Sequence, residues 1–397
     1  MSVSGIVLYA GGATIFIIGL AISIGLHELG HMVTAKKFGV KVLDFSVGFG
    51  PRIWGRVRGE TSYNIRAIPL GGYIRMIGMF PPTSKPGNAE FVTLAPEDWG
   101  RTFSKLTAPR KAAVMFAGPF MNLVLALVIT TSAVVGLGLP EPVNKIGYIA
   151  PCLTGEQNCD TPSPAAKSEL QVGDVIVSVA GVVVTEWDDL TAAIDRNAGK
   201  LTPFIVQRSG KQQVISVEVA TLSGSGRIGV SPSYELERGN LLDSLRIVGD
   251  SIGRVTTAIV NFPKKTFELV KIIVTGSTRD PAGPVGVVGL ARFSGEVASA
   301  DAPVTWRLVD LLMLLGALNV SLFVFNLVPL LPLDGGHVLS AVIEGVRRGM
   351  ARITGNTEQG QFDSSKLLPL TYVVAGFLIF SALLVMIADI FKPLQVG

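Results

Sequence analysis

The chain has three histidines, His27, His31 and His337, and two of them bracket a glutamate in His27-Glu28-Leu29-Gly30-His31. On a helix, residues i and i+4 share one face about one turn apart, so both imidazoles can reach one metal ion. Glu28 is rotated off that pair, which sets its carboxylate beside the metal to act as a base. A catalytic zinc takes three protein ligands and keeps a position for water. No third histidine lies near enough in the first half of the chain, so the third ligand is expected to be a carboxylate, and Asp334 fits. It closes the segment Asn326-Leu-Val-Pro329-Leu-Leu-Pro332-Leu-Asp334-Gly335-Gly336. Prolines and glycines there interrupt a helix and free backbone groups, which are tolerated only around a hydrated, protein-lined cavity. The charges of Zn2+, Glu28 and Asp334 sum to zero, so the site holds no uncompensated ion. His337, three residues past Asp334, reads either as an outer partner of the metal site or as an ordinary loop histidine, and not as a ligand.

These groups must be positioned by membrane-spanning helices. The 397 residues are 48% hydrophobic and 16% charged, against about 25% charged in a typical soluble domain. Four stretches, 1–26, 112–140, 311–333 and 367–388, contain no Asp, Glu, Lys or Arg. Each is long enough for a helix to cross the hydrocarbon core, which takes roughly 20 residues. The composition excludes a disordered chain and implies a polytopic membrane protein. The first stretch lacks the basic start of a secretory signal and runs straight into the histidine pair, so it reads as a retained span. At that depth an ionisable group costs at least about 2.5 kcal/mol, so it persists for function.

Charge placement suggests the orientation. Residues 36–111 hold 13 Lys/Arg against 5 Asp/Glu, and residues 141–301 hold 15 against 18. The basic loop is expected to stay cytoplasmic and the 141–301 region to lie outside. Basic and aromatic residues are not interleaved as on a nucleic-acid surface, so no nucleic acid is expected as a partner. Cys152 and Cys159 fall in the external region, where they either close a small disulfide loop or remain two thiols. Residues 40–80 read as short strands with a turn at Gly48–Pro51, and 145–232 as one small β-rich domain with a helix from Trp187 to Ile194. Leu241, Leu245, Val248, Ile252, Val255 and Ile259 form a helical apolar stripe that Pro263 is expected to break.

The residues resemble a known family, the site-2 proteases (M50-type), which are zinc metalloproteases of regulated intramembrane proteolysis. The likeness is to the bacterial RseP-like group and nearest its actinobacterial members. It rests on His27–His31, Pro69-Leu-Gly-Gly-Tyr73, Gly118-Pro119-Phe-Met-Asn122, a PDZ-like segment, Pro281-Ala-Gly-Pro284-Val-Gly286 and Asn326–Gly336. The resemblance implies that His27, His31 and Asp334 bind zinc, that Glu28 is the catalytic base and that Asn326 handles substrate. It also implies a membrane-reentrant β-element over 40–80 whose edge, at Gly71, Gly72 and Tyr73, receives the substrate. Pro332 sits one place later than in the best-known members, and Ser168-Glu169 stands where Ala-Gly is usual in the PDZ-like segment.

The expected architecture is a polytopic α-helical membrane protein with four transmembrane helices, the reentrant β-element and one extracytoplasmic PDZ-like domain. The first transmembrane helix takes 1–36, a cytoplasmic-side loop with β-hairpins 37–110, and the second helix 111–140. The PDZ-like domain takes 141–232 and amphipathic linker helices 233–306. The third transmembrane helix, with Leu333-Asp334-Gly335, takes 307–336, a cytoplasmic loop 337–366 and the fourth helix 367–397. The expected activity is a zinc-dependent endopeptidase of the cell membrane. Its expected substrates are transmembrane segments of single-pass proteins in the lipid bilayer, of the pre-cleaved anti-sigma factor type. Two other classes compete: a transporter with a proton relay, which would not require the histidine spacing, and a non-catalytic PDZ-bearing adaptor, which has no use for Glu28.

Overall fold

The computed structural model describes residues 3–79, 95–153, 162–222, 224–280, 283–354 and 368–394. Along the chain run α1 (Val3–Lys37), β1 (Val42–Arg58), β2 (Thr61–Met76), α2 (Ala108–Thr131), β3 (Leu139–Ile149), β4 (Val175–Val179) and β5 (Val182–Val183). There follow α3 (Trp187–Arg196), β6 (Leu201–Arg208), β7 (Lys211–Glu218), β8 (Ala220–Leu222), β9 (Ser225–Arg227) and β10 (Val230–Glu237). The last elements are α4 (Leu241–Thr275), α5 (Val287–Ser299), α6 (Val304–Asn326), α7 (Asp334–Thr354) and α8 (Leu368–Phe391). They form two compact units, Met1–Gly136 with Asn240–Gly397, and Leu137–Gly239.

In the first unit, four helices are long and apolar enough to cross a membrane: Val3–Lys37, Ala108–Leu137, Val304–Asn326 and Pro369–Phe391. A helix satisfies every backbone group within its own segment, as lipid requires. Their outer surfaces stay apolar: Ile15, Ile18, Ile22, Val373, Ile379 and Ile390 are all exposed. Such a surface suits hydrocarbon, and the chain is a multi-pass membrane protein.

The hairpin of β1 and β2 departs from the short strands expected over 40–80. Its antiparallel ladder runs from Val42 opposite Met76 to Arg58 opposite Thr61. Residues 44–47 also pair with 62–65, their numbers rising together, so the hairpin is folded back beside itself. The fold-back occurs where β1 bends at Gly48 and Gly50, both at positive φ, so the expected turn is a bend within a strand. The base of the hairpin shares a core with the end of α1 and the start of α2, through Met32, Ala35, Val40, Val42, Met76, Val114 and Met115.

Helix α4 runs through Pro263 instead of breaking there. The proline removes one backbone hydrogen bond. Packing holds the helix on both sides of it: Val248 lies against Ala126 and Val320, and Leu269 against Val385 and Ala388. Helix α5 starts where Gly286 and Gly289 donate their backbone N–H to Asp389 Oδ2, each at 2.9 Å. Arg279 Nη1 donates to the other oxygen of that buried carboxylate at 2.8 Å. The segment expected as a loop over 337–366 carries α7 as far as Thr354; residues 355–367 lie outside the described residues.

The second unit is a six-stranded sheet in the order β10-β3-β4-β6-β7, with β5 paired to β4. Helix α3 covers it, started by the reciprocal capping of Glu186 and Asp189, and Leu190, Ile176, Phe204, Val206 and Val217 fill the core between them. Strands β3 and β10 escape a sequence reading because Pro140, Pro142 and Pro232 interrupt their pattern. Prolines are tolerated there because β10 is an edge and β3 meets β4 only at Lys145. Cys152 is buried and disulfide-bonded; Cys159 lies outside the described residues.

Candidate functional site

His27 and His31 stand on one face of α1, both buried, four residues apart. Asp334 is the first residue of α7, delivered by the irregular segment 327–333 that follows α6. His27 Nε2 lies 3.1 Å from Asp334 Oδ2, His31 Nε2 lies 3.2 Å from the same oxygen, and the two Nε2 atoms are 3.2 Å apart. Among the described residues this is the one cluster of three groups able to hold a metal ion.

The donor set has the chemistry of a metal site. His31 Nδ1 donates to the Val114 carbonyl oxygen at 2.8 Å, which leaves a lone pair on Nε2. That lone pair faces a carboxylate oxygen, and two acceptors so placed are held together by a cation between them. Around a tetrahedral zinc with bonds of about 2.0–2.1 Å, donor atoms lie about 3.3 Å apart, close to the spacing found here. The contact between His31 and Val114 also fixes the ring's orientation, as the outer partners of ligand histidines do. His27 Nδ1, by contrast, is buried without a hydrogen-bond partner.

Two glycines bring other elements up to these side chains. A Cβ built on Gly118 of α2 would lie 2.1 Å from His31 Nε2, so only glycine lets α2 approach the ring. A Cβ on Gly72 of β2 would lie 2.9 Å from Glu28 Cγ and 2.9 Å from Ile24 Cγ2. The hairpin edge therefore passes directly beside Glu28. The strand alternation turns Tyr73 to the opposite face from Gly72. There its ring stacks on Phe49 and its hydroxyl accepts from Arg66 Nη2 at 2.9 Å. Gly71, at φ 151°, lies over the same Phe49 ring. Asn326 is the last residue of α6, and His337 lies on α7 outside the cluster of three.

Thus His27, His31, Glu28, Asp334 and Gly72 come together, while Tyr73 faces away. Gly118 and the Val114 carbonyl were missed as site groups. A Gly-Pro pair inside an apolar span was the available signal for the first. A backbone oxygen has no sequence signal at all. Asn122, one turn beyond Gly118, is buried with both side-chain polar atoms unpartnered.

Residues 15–357 match the model of peptidase family M50. The zinc metalloprotease Rip1 of Mycobacterium tuberculosis is 32% identical over 416 aligned residues, covering 98% of this chain and 99% of the relative. The zinc metalloprotease RasP of Shouchella clausii is 28% identical, covering 84% of this chain and 90% of the relative. A putative zinc metalloprotease of Clostridium acetobutylicum is 29% identical, covering 82% and 84%. A match across most of the chain, joined to an intramembrane His-His-Asp cluster, has one reading: the chain belongs to peptidase family M50 and is a zinc-dependent intramembrane metalloprotease of the site-2 type.

Proposed function

We propose that His27, His31 and Asp334 are the zinc ligands, that Glu28 is the general base, and that the substrates are transmembrane segments of single-pass proteins. The convergence of three donor atoms within 3.2 Å of one another carries the ligand assignment. Bound zinc supplies Lewis acidity toward a peptide carbonyl and acidifies a water near neutral pH. Glu28, adjacent in sequence to His27 and beside the hairpin edge, accepts the proton of the attacking water. It then returns that proton to the leaving amine nitrogen.

A transmembrane helix hides its carbonyls in its own hydrogen bonds, so a substrate must unwind before attack. Segment 70–76 of β2 supports a route: it pairs with 42–47 on one side and, among the described residues, has no strand on the other. An unwound substrate adding to that edge exchanges helical bonds for strand bonds, with Gly72 leaving room beside Glu28. Asn326, which ends α6 eight residues before Asp334, is assigned to hold the substrate backbone.

The basic bias of 36–111 supports a cytoplasmic-side active site in the cell membrane and an extracytoplasmic second unit. That unit is read as PDZ-like, screening substrate tails; anti-sigma factors already shortened by another protease are the substrate class. Glu28→Gln is the decisive experiment. Against a tagged single-span substrate it should keep zinc and lose proteolysis by at least about a thousandfold. Cleavage by a zinc-loaded Glu28→Gln protein would remove the base assignment.

A further inference from the structure

Helix α7 is 21 residues long and begins at Asp334, the residue it shares with the metal cluster. Its side chains Leu339, Val342, Val346, Met350 and Ile353 are all exposed, from 41% for Leu339 to 87% for Ile353. At 100° per residue they fall within an arc of about 80°. Glu344 stands about 160° from the centre of that arc. It is buried and accepts from Lys111 Nζ, in the first turn of α2, at 2.8 Å. Lys111 immediately precedes the uncharged stretch 112–140, so this pair holds α7 at the level where the hydrocarbon begins.

We infer that α7 lies along the membrane surface and takes anionic phospholipid on the face formed by Leu339, Val342, Val346, Met350 and Ile353. Three observations favour lipid. The helix is fixed at the boundary of a spanning segment by the Lys111–Glu344 pair. Its apolar arc has no cover among the described residues. Its charges complement an acidic surface: apart from Asp334, its one acid is the inward-facing Glu344, whereas Arg347 is exposed at the flank of the arc. A helix with one apolar side and a basic flank buries that side at the headgroup boundary, and each basic residue adds attraction to anionic lipid. The seating asks only for a bilayer and stands apart from the assignment of catalytic roles.

The test uses full-length protein with a nitroxide at Val346→Cys and, as an aqueous reference, at Lys211→Cys on the exposed end of β7. Both are reconstituted in phosphatidylcholine vesicles with and without phosphatidylglycerol. Relaxation by oxygen, which partitions into lipid, is compared with relaxation by a water-soluble nickel chelate. The ratio of oxygen to nickel accessibility at 346 should greatly exceed that at 211 and rise further with phosphatidylglycerol. Adding Arg347→Glu should lower it at least about fivefold in phosphatidylglycerol vesicles and leave it unchanged in pure phosphatidylcholine. A ratio at 346 equal to that at 211 overturns the seating. A ratio indifferent to both phosphatidylglycerol and Arg347→Glu overturns the anionic preference. Spin–spin broadening at 346 would assign the face to a second copy of the chain and overturn the proposal.

Discussion

The two units of the chain differ in what their interiors hold besides hydrocarbon. In Leu137–Gly239 the buried set is mostly hydrocarbon, with Ile146, Ile176, Leu190, Phe204 and Val217, and among the described residues Asp174 is its one buried charge. In the membrane unit the buried set also includes His27, His31, Lys111, Asn122, Asn319, Glu344 and Asp389, while Ile15, Ile18, Ile22, Val373, Ile379 and Ile390 point outward. Turning an apolar side chain inward gains nothing when the surrounding solvent is itself apolar. In water that same move drives folding. The interior of the membrane unit is therefore where chemistry can be placed, and the interior of the other unit is where stability comes from.

Substitutions inside the two units should fail in different ways. The largest effect is expected from Gly118→Val, whose side chain has to occupy space held by the His31 ring. Zinc content of the purified protein should fall to background while the helix content persists. A Gly118→Val protein that keeps both zinc and proteolysis would break the view of α2 as a wall of the site. Next comes Glu344→Leu, which leaves the Lys111 ammonium buried without its partner. Such a loss costs about 3–5 kcal/mol, read as a lower unfolding temperature in detergent, and Lys111→Met on the same background should restore most of it.

Ile176→Val tests the hydrocarbon interior of the second unit. It should destabilise that unit by about 0.5–1.5 kcal/mol, visible as faster amide exchange in β4 and β6, with zinc content untouched. The smallest effect is electrostatic. Burial pushes the Asp174 carboxyl up, but hydrogen bonds from the Arg208 guanidinium and the Gln171 N–H outweigh it and hold the group below its ordinary value of 3.8. A carboxyl lowered on folding contributes stability above its unfolded pKa and loses it as the pH falls through the folded one. Unfolding of the second unit should therefore grow easier below about pH 4, and Arg208→Met should flatten that dependence.

The parts of the site that were legible in the sequence are those set by spacing along one helix or by the cost of charge in lipid. His27, Glu28 and His31 belong to the first kind and Asp334 to the second. The four spans were legible because uncharged stretches of that length have few alternatives. The fold-back of the hairpin was hidden, since the pairing of 44–47 with 62–65 depends on a second register that local alternation does not encode. Helix α7 was hidden for another reason. Its apolar residues recur at spacings of three and four, yet Gly335-Gly336 and the arginines read as loop signals, and the contact that anchors it comes from Lys111, 233 residues away.

Asp334 stands 303 residues beyond His31, and that separation has a consequence for how each molecule begins its life. On the proposed ligand assignment, the histidine pair enters the bilayer while the polypeptide is still emerging from the ribosome and waits there with an incomplete coordination sphere. Only when the third span has been threaded can the carboxylate arrive. On that assignment a copy lacking the third span is unarmed, and its neighbours are safe from it until that span has been made.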